Sequence, residues 1–139
     1  MAGSVATLRG LVIAAIDGLS GWTHSRWVPE LFGADANSLM HHAFAVAVPE
    51  STAFEQRQRV AEGLYVDSVI EVRWAHRLRG DAQSTDYDGM LDPESAMIAA
   101  VLGITAARIT NTSLTRAAVA EGWVVGTARF RCAHRIALP

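Results

Sequence analysis

Three histidines and one cysteine are the residues of this sequence whose types and spacing could support metal chemistry. His42, His76 and His134 each fall on the apolar face of a predicted strand, and Cys132 lies two residues before His134. If those strands were neighbours in register, their imidazole and thiolate groups could hold zinc or iron. Such spacings arise easily on separate strands, however, and no carboxylate stands nearby to orient the rings. We therefore prefer half-buried, hydrogen-bonded histidines and a buried cysteine, and predict no metal and no cofactor.

Other catalytic signatures are absent from the sequence. It contains no glycine-rich phosphate loop, no nucleophile elbow and no His-Glu-x-x-His motif. Nothing beside Cys132 would activate its thiol as a nucleophile. Four aspartates lie close together in the sequence: Asp81, Asp86, Asp88 and Asp92. Their spacing does not match a calcium loop and indicates a solvated turn. The chain is predicted not to be an enzyme.

The longest strand signal covers residues 65–79. Val66, Ile70 and Trp74 alternate there with polar residues, and at about 3.3 Å per residue the strand would span roughly 45 Å. Residues 123–138 repeat the alternation and are the predicted partner strand. Charges on the outer faces are predicted to contact another subunit or to line a channel: Glu71, Arg73, Arg77, Arg79, Arg129, Arg131 and Arg135. A solvated surface with cross-strand ion pairs is the alternative, and a nucleic-acid surface is a third.

The remaining elements define the fold class. Ser4 can cap a helix over residues 4–20, and Asp92 with Pro93 can begin a second helix that Gly103 ends. Further strands are predicted at residues 41–48, ended by Pro49, and at 107–119. The order α-β-β-α-β-β predicts a single α+β domain over residues 1–139. Its mainly antiparallel sheet has about four strands, and both helices pack on one side.

Two irregular segments lie between these elements. Residues 22–32 contain two tryptophans and a phenylalanine, which must pack either on the domain's own sheet or on a neighbour, and the own sheet is preferred. Residues 49–64 form a polar arm that is long for a hairpin connection. Phe54, Arg57 and Arg59 are the predicted contacts of this arm.

Composition narrows the function classes. Half of the 139 residues are hydrophobic and the net charge is −2, which argues against a disordered tail and a general polyanion binder. All twelve basic residues are arginine, whose planar guanidinium suits bidentate contacts with carboxylates. A single cysteine excludes an internal disulfide and fits a reducing cytoplasm. We expect no signal peptide and no membrane span, because the longest apolar run, residues 11–16, is short.

The layout resembles the tail terminator proteins of long-tailed bacteriophages and gene transfer agents. The resemblance lies in the run His-His-Ala-Phe-Ala-Val-Ala-Val-Pro at 41–49, the polar arm with Arg57 and Arg59, and the strand at 66–79. The turn at 86–88, the helix at 92–102 and the strands at 109–119 and 123–138 follow the same order. The resemblance covers most of the chain but rests on no short motif. The chain departs from the family in length, because residues 22–32 and 49–63 align with no signature of the family.

This resemblance implies a structural role in a virion. The family forms a ring, usually a hexamer, that caps the head-proximal end of the tail tube and stops its polymerisation. Implied partners are other copies of this chain, the tail tube protein, the head-completion or stopper protein and the tape measure protein. DNA would pass through only as cargo, and no membrane is involved. The chain would be made in the host cytoplasm and reside in the tail or neck; no catalytic residue is carried over.

Two alternatives remain open at this stage. The first is another ring component of the same virion, such as the head-closure stopper or the tail tube protein. The second is a small metal- or ligand-binding α+β domain that uses the strand histidines.

Overall fold

The computed structural model describes residues 4–32, 39–53, 64–80 and 83–136. Two helices and five strands follow one another in these ranges: α1 (Val5–Asp17), β1 (Thr23–His24), β2 (Ala43–Ala53), β3 (Leu64–Arg77), α2 (Gln83–Leu102), β4 (Arg108–Ala120) and β5 (Trp123–Ile136). The predicted α+β class is confirmed. Ser4 caps α1 as predicted, since its Oγ accepts a hydrogen bond from the Thr7 backbone N–H at 3.0 Å.

The sheet has five strands in the order β1-β2-β3-β5-β4, rather than about four. The additional strand, β1, is two residues long and pairs in parallel with the start of β2, so the sheet is mixed. Its pairing is extended by the Ser25 N–H, which donates to the carbonyl of Phe44 at 2.7 Å. A two-residue strand has no hydrophobic alternation, and the sequence therefore held no signal for it.

The centre of the sheet is the long antiparallel pair β3 and β5. Their register runs unbroken from Leu64 opposite Ile136 to Arg77 opposite Trp123, which confirms the predicted partnership of the two longest strands. Side chains alternate between the faces along both strands. Ile70, Val72 and Trp74 lie on one face, and the charged residues lie on the other.

Both helices pack on the apolar face of the sheet. Leu8, Val12 and Ile16 of α1 and residues of α2 share one buried cluster with the central strands. The α2 residues are spaced by four, three and four positions along one side of the helix: Met90, Glu94, Met97 and Val101. This otherwise apolar stripe contains a buried glutamate, Glu94.

The aromatic segment at residues 22–32 packs on the domain's own sheet, which was the preferred prediction. Trp22 is buried in the main cluster with its ring 4.9 Å from that of Trp74. Phe32 lies on the opposite face of the sheet, where it covers a smaller cluster that includes Ala75 and Val125. The segment thus contacts both faces at one end of the sheet.

Two predicted boundaries at prolines are wrong. β2 continues past Pro49 to Ala53, because Pro49 lies at a register irregularity between Ala47 and Glu50, where a missing backbone N–H is tolerated. α2 begins at Gln83, not at an Asp92 cap, and Pro93 lies inside it. The apolar stripe already starts at Met90, so tertiary burial maintains the helix through the proline.

Candidate functional site

The charged face of the sheet is a network of ion pairs within the chain. Glu71, which is 7% exposed, accepts a hydrogen bond from Arg73 at 2.6 Å and another from Arg129 at 3.2 Å. Arg129 is the residue directly opposite Glu71 on β5, so strand register places the two charges together. Arg73 also donates to the carbonyl of Pro29 at 3.2 Å, which anchors the segment before β2 to this face.

The other predicted interface residues also have partners within the chain. Arg131 donates to Asp67 at 2.6 Å, and Arg79 binds the Asp86 carboxylate through Nε and Nη2 at 3.0 and 2.9 Å. Two guanidinium groups lie over aromatic rings: that of Arg77 over Trp123 at 5.7 Å and that of Arg135 over Tyr65 at 5.9 Å. All seven residues therefore have partners within one chain, and their part in subunit contacts stays a prediction. The predicted arm contacts Phe54, Arg57 and Arg59 lie outside the described residues.

Strand β4 forms one edge of the sheet. It is thirteen residues long, and among the described residues no strand pairs with its outer side. Residues 115–119 are all exposed, including Val119 at 42%. Register shifts interrupt its pairing with β5 between Asn111 and Ser113 and between Ala118 and Ala120. The stretch between these irregularities is a regular, open strand edge.

The opposite edge of the sheet is only partly covered. β1 pairs with no more than the first two residues of β2, Ala43 and Phe44. Beyond them Arg9 of α1 donates to the carbonyl of Val46 at 2.9 Å. From there to Ala53, no described strand pairs with the outer side of β2. Within the described residues, the sheet consequently has two open edges on opposite sides.

A cluster of three histidines lies where the start of β2 meets the end of β3. Nε2 of His42 is 3.2 Å from Nδ1 of His76, and Nε2 of His76 donates to the carbonyl of Asp86 at 2.8 Å. The ring of His41 stacks on that of His42 with centroids 3.9 Å apart. Nδ1 of His41 accepts a hydrogen bond from the Arg77 N–H at 3.1 Å. The structure thus brings together two of the three predicted histidines and adds His41.

The backbone of His42 explains why His41 was missed. In a regular strand, neighbouring side chains point to opposite faces, and His41 would then lie away from His42. His42 instead has φ of 59°, the left-handed conformation that non-glycine residues seldom adopt. This turn places both rings beside His76. The one available signal was the pair of adjacent histidines at a predicted strand start.

His134 and Cys132 lie elsewhere. His134 is opposite Val66, near the far end of β3, and its Nε2 shares a 2.8 Å hydrogen bond with Ser68 Oγ. Ser68 is also hydrogen-bonded to Ser51 at 2.7 Å. His134 is thus hydrogen-bonded as predicted, but it is fully buried rather than half-buried. Cys132 is completely buried, and burial raises the pKa of its thiol to about 12. It is a residue of the hydrophobic core, as predicted.

Four histidines hold their protons less readily in the folded chain than in water. Burial is the main cause of the lowered pKa of His24, His41 and His134. It also lowers the pKa of His42 to about 4, with further contributions from His41 and His76. The neutral form of each ring is therefore favoured by folding.

Acid is expected to destabilise the fold below pH 6.5. Unfolded histidines take up protons near that pH, whereas folded His42 does so only near pH 4, so stability falls as the pH drops through this window. Allowing for its partial exposure, we expect His42 to account for about 1–2 kcal/mol. Urea unfolding at pH 7.5 and pH 5 measures the difference. The variant His42→Asn should lose less stability between these pH values, and asparagine can adopt the left-handed backbone conformation of His42. Equal stability of the unmodified chain at both pH values would contradict this expectation.

No protein-family model matches the chain, and no curated protein matches it significantly. Among the described residues, no helix is long and apolar enough to cross a membrane.

Proposed function

We propose that this chain is a structural subunit of a ring, of the kind that terminates the tail tube of a long-tailed phage or gene transfer agent. One observation carries the proposal: the open edge of β4, thirteen residues long and largely exposed. The resemblance in layout supports it independently. The observed order of elements keeps that layout, with the short β1 as an addition.

An open strand edge favours pairing with another chain. Its unpaired N–H and C=O groups are a template for a further strand, and proteins commonly protect such edges with lysine, proline or bulges. β4 contains no proline, and its two irregularities leave Ser113 to Ala118 in regular register. The one charged residue of that stretch, Arg116, binds Glu94 in the helix layer and does not protect the edge. That stretch is long enough to pair with a strand of ordinary length.

The position of the second open edge favours a ring over a simple dimer. A head-to-tail contact joins two different surfaces of the chain and closes into a ring when the rotation between copies allows it. The outer sides of β4 and β2 are two such surfaces on opposite sides of one sheet. In the proposed ring, β4 of one copy lies against β2 of the next. The family implies about six copies.

Further parts of the proposal come from the resemblance alone. The ring would contact the tail tube protein on one side and the head-completion protein on the other, with the tape measure protein as a further partner and DNA as cargo. Another ring component of the virion neck or tail would use the same edge contact. Binding of the ring to isolated tail tubes, compared with binding to isolated heads, distinguishes these roles.

Charges placed on the β4 edge should prevent assembly without preventing folding. Thr115 and Ala117 are exposed and point to the face of the sheet away from the helices. The double variant Thr115→Lys/Ala117→Lys places two lysines on the strand through which we propose that copies pair. We expect this variant to be monomeric. Sedimentation velocity measures the assembly, and thermal unfolding measures the fold.

A matched control adds the same charge at a different place. Ala96 and Ala99 are exposed on α2, and Ala96→Lys/Ala99→Lys should assemble as the unmodified chain does. If the β4 variant forms the same oligomer as the unmodified chain, the edge is not the contact. Arg73 is less suitable for this test, because replacing it would also break its bonds to Glu71 and Pro29.

A further inference from the structure

We propose that His41, His42 and His76 form a binding site for a divalent transition-metal ion, with Zn²⁺ as the reference ion. The inference does not depend on ring formation. Three imidazole groups offer one ligand atom each, and these atoms all lie within 4.8 Å of one another. Imidazole is a ligand common to zinc, nickel and copper sites.

The spacing of two ring nitrogens already suits a metal. Bonds of 2.0–2.1 Å in a tetrahedral zinc site place two ligand nitrogens about 3.3 Å apart. Nε2 of His42 and Nδ1 of His76 are 3.2 Å apart. An ion can therefore take the place of the hydrogen bond that now joins them, once both rings turn toward it and the proton of His42 moves from Nε2 to Nδ1.

The fold orients His76 as a ligand. Its Nε2 donates to the Asp86 carbonyl at 2.8 Å, so the proton of the neutral ring is on Nε2 and the lone pair of Nδ1 faces the cluster. Metal-bound histidines are commonly oriented in this way, by a hydrogen bond from the second ring nitrogen to a carbonyl or carboxylate. His76 is buried, and the Trp74 ring packs edge-on beside it with centroids 5.9 Å apart.

Packing holds His42 in an unfavourable backbone conformation. A non-glycine residue at φ of 59° is energetically unfavourable and persists only where the surroundings require it. Trp22 stacks on the His42 ring with centroids 5.2 Å apart, on the side that faces the core. The strained turn brings two adjacent histidines to the same ion, which a regular strand could not do.

His41 is the adjustable third ligand. Its Nδ1 now accepts the Arg77 N–H, so ligation by His41 requires that hydrogen bond to be given up or lengthened. The residue is exposed and free to rotate at lower cost than the other two. It borders an open cleft of about 470 Å³, lined also by Thr85 and Gly89. The cleft gives an ion access and leaves room for water as a fourth ligand.

Calorimetric titration of the unmodified chain with Zn²⁺ tests the site. We expect one ion per chain and at least a 100-fold loss of affinity in His41→Asn/His42→Asn, since two of three ligands are removed. Asparagine can still accept the Arg77 N–H and tolerates the left-handed backbone, so circular dichroism should show an intact fold. His24→Asn, which removes a histidine outside the cluster, should bind as the unmodified chain does.

Three results would contradict the proposed metal site. The proposal is overturned if the unmodified chain binds no Zn²⁺ at millimolar concentration. It is also overturned if the double variant binds equally well, or if His24→Asn weakens binding as much. Visible absorption of bound Co²⁺ supplies a second readout, because a tetrahedral nitrogen site and a hydrated surface ion have different spectra.

Discussion

Arg116→Ala is expected to destabilise the fold by about 2–4 kcal/mol, because it leaves a buried carboxylate without its counter-charge. Glu94 is 2% exposed within the apolar stripe of α2. Arg116 of β4 binds it through two nitrogens, with Nε 3.0 Å from Oε2 and Nη2 close to Oε1. This pair fixes the open sheet edge to the helix layer. Equilibrium urea unfolding measures the loss.

A second ion pair and a second substitution check the cause of this effect. The side chain of Arg131 is 66% exposed where it pairs with Asp67, so Arg131→Ala should destabilise the fold much less than Arg116→Ala does. Adding Glu94→Met to an Arg116→Met chain should recover most of the stability, because no charge then stays buried. If Arg116→Ala costs no more than Arg131→Ala, Glu94 finds another partner and our account of the pair is wrong.

Gly126→Ala is expected to cost about 2–3 kcal/mol through overpacking. Gly126 lies directly opposite Trp74 in the centre of the sheet, and the indole crosses over it. A Cβ at this position would be 2.5 Å from Nε1 of Trp74 and 3.1 Å from Cε of Met90. Trp74 is completely buried, so its ring cannot move aside without disturbing the core. Thermal unfolding gives the size of the effect.

The same substitution in α1 is the matched control. Gly10 is exposed in the middle of the helix, and nothing lies within 4 Å of a Cβ placed there. Gly10→Ala should therefore stabilise the chain by about 0.5–1 kcal/mol, through helix propensity. Opposite signs for the two substitutions are the expected result. A loss at Gly126 no larger than the change at Gly10 would show that the sheet adjusts to a methyl group.

The sequence predicted those parts of the fold in which periodicity is strong. Apolar and polar residues alternate through much of β3 and from Thr127 to Cys132 in β5, and the pairing of the two strands follows from that match. The Ser4 cap and the helix stripe of Leu8, Val12 and Ile16 were equally evident. Proline was the misleading signal, because Pro49 occupies a register irregularity and Pro93 lies inside a helix with one buried side, where packing outweighs local preference.

The candidate sites were harder to predict from the sequence than the strands and helices, because they depend on tertiary structure. The seven charged residues were found from their alternation, but their partners within the chain follow from strand register and from segments distant in sequence. His41 required knowledge of the left-handed turn at His42. Glu94 had a usable signal, since a glutamate between Met90 and Met97 interrupts an apolar stripe at helical spacing. Its partner Arg116 could not be predicted without the position of β4 beside α2.

The central claim is that copies of this chain close into a ring through their sheet edges. Native mass spectrometry of the unmodified chain over a range of concentrations, with electron microscopy of the largest species, tests it most directly. We predict a closed oligomer of about six copies with a central channel. A monomer at every concentration, or a two-fold dimer that grows no further, would contradict the proposed ring.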